Sequence, residues 1–169
     1  DLIQRGHAIE TRVYAEDPFR NDLPQAGRLL VYREPVLPGI RVDSGVVEGS
    51  ELGVYYDPLI AKVVAAAETR DAARRRAIEA LRQFPILGVR TNQPLLLALL
   101  EHDRFASGLV DTTFLDAERA AITAGLTASV PAEVLEIART ARVAAAEPGR
   151  ADASSPSRDP WSRLRGTQL

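Results

Sequence analysis

Cysteine and methionine are both absent from this 169-residue chain, and lysine occurs once, at Lys62. Without cysteine there is no disulfide framework and no thiolate zinc site, and the cytoplasm is the expected compartment. The two histidines, His7 and His102, lie far apart and lack ligand-spaced companions, so no metal centre is expected. No apolar run approaches the ~20 residues that cross a bilayer, and no signal-peptide pattern is visible. Neither charge dominates. The formal net charge is −2 with both signs interspersed, which excludes a broad basic field for nucleic acid or anionic membrane. The chain starts at Asp1, on the approach to a strand and without an initiating methionine, so the expectation is a piece of a longer polypeptide.

What is present is a globular composition, 46% hydrophobic and 26% charged. The length suits one domain with a real core plus a tail. From His7 to Ala15 the pattern repeats every two residues. Ile9, Thr11, Val13 and Ala15 share one face; Glu10, Arg12 and Tyr14 share the other. This is a strand with one face to bury and one carrying a carboxylate, a guanidinium and a phenol in a row, with neighbours on that face only ~7 Å apart.

Turn chemistry follows at Asp17-Pro18, Pro24 and Gly27. Short strands are expected at Leu29–Tyr32, Ile40–Val42 and Val46–Val47. Leu59–Ala67 is nearly continuous apolar sequence, as for a strand covered on both sides, with Lys62 its only charge. That ammonium needs a partner or a route to solvent. Thr69 is placed to cap a helix over Arg70–Phe84, with Asp71 in its first turn and Ala73, Ala77, Leu81 and Phe84 as its inner stripe. The Arg74-Arg75-Arg76 run reads as a solvated face, since Asp71–Arg75 and Arg75–Glu79 pair at helical spacing. Pro85–Val89 is a further short strand. Thr91 or Asn92 caps a second, leucine-rich and heavily buried helix, with Pro94 in its first turn. A third helical segment lies within Val110–Ile122.

Strands followed by helices give an α+β fold: short mixed strands with packed helices, then a flexible tail. The expected organisation is a domain over 1–122, an Ala-rich helical extension over 123–146, and a Pro/Gly/Ser linker over 147–169 leading toward a further module.

Seven elements in collinear order resemble the C-terminal part of the biotin carboxylase domain of biotin-dependent acyl-CoA carboxylases. They are Gly6-His-Ala-Ile-Glu-Thr-Arg12 with Ala15-Glu-Asp-Pro18; Leu23-Pro24 with Gly27; Pro38-Gly39-Ile-Arg41-Val-Asp43; Tyr56-Asp57-Pro-Leu-Ile-Ala-Lys62; Thr69-Arg-Asp71; Gly88-Val-Arg-Thr-Asn92; and Phe105-Ala-Ser-Gly108 with Asp111-Thr-Thr-Phe-Leu115. The resemblance covers roughly Arg5 to Leu115. Gly53-Val54 departs from the prolines frequent before the Tyr-Tyr-Asp element.

That resemblance implies ATP-dependent carboxylation of biotin, with bicarbonate and ATP forming carboxyphosphate and a partner carboxyltransferase passing the group to an acyl-CoA. It places Arg12 as the catalytic arginine beside biotin and bicarbonate, with Glu10 and Asp57 on the same side. A fixed, always-charged fork is suited to the negative charge that develops on the ureido oxygen. Asp57 has two readings: it ends a turn before the buried strand, or it orients Arg12 or a neighbouring active-site group. Lys62 and Tyr56 are supporting residues, Lys62 satisfying a structural carboxylate or carbonyl or else taking a catalytic part. Arg41 falls in a region at the subunit interface of related carboxylases, or is a plain surface arginine.

The implied cofactors are biotin, carried on another domain or subunit, and ATP with Mg²⁺. The implied partners are an upstream ATP-grasp segment, a biotin carrier domain, a carboxyltransferase subunit and a second copy of the chain. No glycine-rich phosphate loop or Met-Lys-Met attachment motif occurs here, so this segment alone is expected to be catalytically silent. The alternative is a non-catalytic module kept for dimerisation.

Overall fold

By internal contacts the chain divides into two units, Asp1–Ala128 and Ser129–Leu169. The computed structural model describes residue 3 and residues 5–126, which lie in the first unit. The helical extension and linker expected beyond residue 126 lie outside the described residues.

The first unit opens with β1 (His7–Tyr14), β2 (Glu16–Asp17), a 3-10 turn (Pro18–Arg20), β3 (Leu23–Pro24), β4 (Gly27–Arg28), β5 (Val31–Tyr32), β6 (Ile40–Ser44), β7 (Glu51–Leu52) and β8 (Leu59–Ala67). There follow α1 (Arg70–Arg82), β9 (Ile86–Leu87), α2 (Gln93–Glu101), α3 (Asp103–Ala106) and α4 (Phe114–Gly125). The main sheet has the order β1-β8-β6, both pairings antiparallel. The two-residue strands pair as β2·β3, β4·β7 and β5·β9. This is the expected α+β arrangement.

The alternation read in β1 is what the sheet uses. Thr11, Val13 and Ala15 are buried while Glu10 and Arg12 are exposed. Opposite residues in an antiparallel pair share a face, so Val13 and Thr11 stack with Ala61 and Val63 of β8. α1 closes this inner face. Ala73, Ala77 and Leu81 are buried, as is Phe84 just past its end; Ala77, Leu81 and Phe84 form one core with Val13, Val63 and Leu29. Thr69 caps α1 by accepting a hydrogen bond from Ala72 N–H, an interaction typically worth ~1 kcal/mol. Truncating a fully buried aromatic such as Phe84 to alanine costs about 3–5 kcal/mol.

The structure departs from the sequence reading in several places. β8 is not covered on both faces: Lys62 and Val64 are half-buried and Ala66 is exposed. The strand is apolar because it is central, flanked by β1 and β6, while among the described residues only its inner face meets a helix. Val46–Val47 forms no strand, and the pairing there belongs to Glu51–Leu52 instead. Within the leucine-rich α2 only Leu95 and Leu100 are fully buried. α4 runs to Gly125, past the boundary expected at 122.

The arginine run of α1 is more engaged than a solvated face. Arg74, only 17% exposed at its side chain, pairs with Asp71 and donates to the Leu100 carbonyl, tying α1 to α2. Arg75 pairs with Asp71 as expected. The Arg75–Glu79 pair does not form; Glu79 accepts from Gln83.

Candidate functional site

β1 and β6 flank β8, so the open face of the sheet is a small grid whose register the pairing fixes. One row holds Arg12, Lys62 and Asp43; the next holds Glu10, Val64 and Arg41. Arg12 donates its Nε–H to Glu10 Oε1 at 3.0 Å, with the guanidinium side chain 60% exposed. Hydrogen bonds to Glu10 and then to Tyr14 raise the Arg12 pKa and hold it in the charged form. Arg41 makes the matching pair with Asp43 at 3.1 Å on the far strand. The Lys62 ammonium makes no hydrogen bond or ion pair with any described side chain or carbonyl. The carboxylate or carbonyl expected to satisfy it is therefore absent from the described residues; its half-buried stem lets the ammonium reach solvent instead.

Asp57 does not meet Arg12. Its Oδ1 accepts the Leu59 N–H at 2.9 Å, closing a tight turn at the start of β8. Among the described residues Asp57 makes this turn contact and no hydrogen bond or ion pair with Arg12. Tyr55 and Tyr56 stand out from this turn, 91% and 89% exposed. The Pro58 carbonyl accepts from Ala15 N–H at 2.8 Å, so the turn is tied to the end of β1.

One residue at this site was missed. Asn92 sits at the N-cap position of α2, yet its side chain makes no capping bond. Its Oδ1 accepts the Tyr14 N–H at 2.9 Å and its Nδ2 donates to the Arg12 carbonyl at 3.1 Å. Its own N–H donates to the Tyr14 carbonyl at 3.2 Å. The only sequence signal was the Thr91-Asn92 cap pattern, which points to a helix start and not to a strand edge. Four residues earlier Gly88 has a φ of +109°, and a Cβ there would lie 2.0 Å from the Arg28 carbonyl oxygen. Only glycine fits there.

This arrangement lies within a recognisable segment. Residues 10–117 match the biotin carboxylase C-terminal domain family. The chain belongs to that family. The propionyl-CoA carboxylase alpha chain, mitochondrial, of Mus musculus is 46% identical over 117 residues, covering 68% of this chain and 16% of the relative. Biotin carboxylase 1 of Bacillus subtilis is 43% identical over 116 residues, covering 69% of this chain and 26% of the relative. Among solved structures, a Rhizobium etli pyruvate carboxylase superposes with a TM-score of 0.69 at 38% identity, over 72% of this chain and 12% of that one. The biotin carboxylase domain of a thermophilic 2-oxoglutarate carboxylase bound to bicarbonate also gives 0.69, at 34% identity over 72% of this chain and 27% of that one. The chain thus spans a minor part of each relative.

The exposed, fully charged Arg12 fork suits a urea oxygen or a small anion. Among the described residues no group of three or more His, Asp or Glu is placed to hold a metal ion. A hollow of about 1010 Å³ lined by Phe19, Phe84, Leu87 and Leu97 contains neither Arg12 nor Glu10. It is a separate feature from the arginine's face.

Proposed function

We propose that this segment completes a biotin carboxylase by presenting Arg12 where biotin and bicarbonate meet. The observation that carries the reading is the arginine's setting: an exposed guanidinium on the open face of the sheet, held at Nε by Glu10. Biotin, when bound, supplies a ureido nitrogen that accepts a carboxyl group derived from bicarbonate at the expense of ATP.

The chain's own contribution is electrostatic. Glu10 occupies the Nε–H, leaving the terminal nitrogens as the end of the fork that reaches a ligand oxygen. A donor fixed before the reaction stabilises charge as it develops, without reorganising. Lys62, the cross-strand neighbour of Arg12, adds a second positive charge to that face. Asp57 serves the site indirectly, by closing the turn tied to the end of β1.

The ATP-grasp segment would hold nucleotide and Mg²⁺, and a biotin carrier domain and a carboxyltransferase would bring biotin and take the carboxyl group onward. β6 is the outer strand on the far side of the sheet, and its exposed Arg41 is suited to a contact with a second copy of the chain. The expected cytoplasmic setting stands beside a mouse relative that is mitochondrial; among the described residues no helix is long and apolar enough to cross a membrane.

The test is phosphate release from MgATP with biotin and bicarbonate. The 169-residue chain alone should be silent, and a full-length carboxylase containing it should be active. Release by the isolated chain that requires both biotin and bicarbonate would refute the division of labour.

A further inference from the structure

We infer that Asn92 is a positioning residue for Arg12, an inference that rests on the catalytic reading of Arg12 above. Among the described residues β1 is an outer strand of its sheet, and one of its edges has no strand partner. Asn92 takes that place at one spot. Its amide bridges the Arg12 carbonyl and the Tyr14 N–H, and its backbone N–H reaches the Tyr14 carbonyl. These are the groups a neighbouring strand would engage. The bridge spans the point where the register of β1 against β8 shifts, between Val13 and Tyr14. The extra residue, Ile60, lies on β8, so β8 is the bulged strand, and the bridge beside it fixes the β1 backbone from which Arg12 projects.

Two further observations separate this role from helix capping. Asn92 is 8% exposed and its side chain gives α2 nothing. The Gln93 N–H is taken by Thr91 Oγ1 instead. Asn92 is thus a cap-position residue diverted to the strand that carries the arginine. Both ends of its amide are used, one as acceptor and one as donor, so an isosteric carboxylate can replace only half of it.

The experiment is a double-mutant cycle in the full-length carboxylase, with Asn92→Ala and Asn92→Asp each made alone and with Arg12→Gln. Biotin carboxylation should fall about tenfold or more for either single Asn92 variant, the scale of a small misplacement of a reacting group, with the KM for ATP unchanged. In the Arg12→Gln background the further loss should be under about twofold, because the two residues act as one unit. Equal fold-losses in both backgrounds would overturn the positioning role while leaving the Arg12 reading intact. An unchanged rate in Arg12→Gln alone would overturn the Arg12 reading, and this inference with it.

A second arm needs no activity. In the 169-residue chain, amide exchange at Tyr14 should speed at least about tenfold in Asn92→Ala and stay protected in Asn92→Asp, which keeps the acceptor. Should Asn92→Ala not fold, Asn92→Asp carries the cycle. Unchanged Tyr14 exchange in a folded Asn92→Ala would overturn the bridge itself.

Discussion

Arg12 and Lys62 are direct cross-strand partners, two cations side by side on the open face of the sheet. Their acids lie to the outside: Glu10 holds Arg12, and Asp43, on the other flank of Lys62, is held by Arg41. Like charges directly opposite in a sheet destabilise it by about 0.2–1 kcal/mol. Asp43, directly opposite Lys62 on β6, offsets part of that repulsion, and an anion in front of the two cations would offset more.

Lys62→Met should accordingly leave stability within about 0.5 kcal/mol of the parent chain. Two unit charges about 7 Å apart in a water-like dielectric interact by about 0.6 kcal/mol, so the full-length enzyme should bind bicarbonate about threefold more weakly. Thermal melts and the bicarbonate KM check the two halves. A stability loss above about 2 kcal/mol would mean that Lys62 satisfies a buried partner.

For Asp57 the prediction separates turn from catalysis. Asp57→Asn keeps an acceptor for the Leu59 N–H and should be well tolerated. Asp57→Ala should cost about 1–3 kcal/mol, the range for a charge-assisted bond lost from a turn. Combined with Arg12→Gln, its effect on rate should be additive within about 0.5 kcal/mol. Coupling above about 1 kcal/mol would bring Asp57 back to the arginine.

Much of this was legible in the sequence, and the failures have physical causes. β1, β8 and α1 declare themselves because a long element repeats its period several times, and each was read at close to its true limits. The two-residue strands are invisible to periodicity, since their pairing is set by what tertiary packing brings alongside, as with Val31–Tyr32 against Ile86–Leu87. β8 misled for a different reason: an apolar run shows that a strand is central but not how many of its faces are covered. At the site, alternation placed Glu10 and Arg12 together correctly. Asn92 was hidden because the same residue type that caps helices also mimics a peptide group, and local sequence does not say which backbone it will meet.

Glu16 supplies a pH test. Burial, then the neighbouring charges of Asp22 and Asp57, raise its pKa above the ordinary carboxylate range, with Arg119 opposing. A raised folded-state pKa means that ionisation is disfavoured in the fold: stability is fullest below the ordinary carboxylate pKa and falls as pH rises through the folded value. Glu16→Gln should therefore be more stable than the parent at neutral pH, and the gain should vanish below about pH 4. Denaturant midpoints at the two pH values give the answer; a variant that is destabilised at neutral pH would contradict the sign.

The central claim is that Arg12 acts on charge in the reaction and not on the fold. The direct measurement is the biotin- and bicarbonate-dependent turnover of Arg12→Gln in the full-length carboxylase, alongside its melting temperature. Removing one preorganised charge donor should cut turnover about 10²-fold or more. The melt should barely move, because Arg12 is exposed and its pair with Glu10 is a surface pair worth about 0–1 kcal/mol. Turnover within a few-fold of the parent, or a loss of turnover explained by unfolding, would contradict the account.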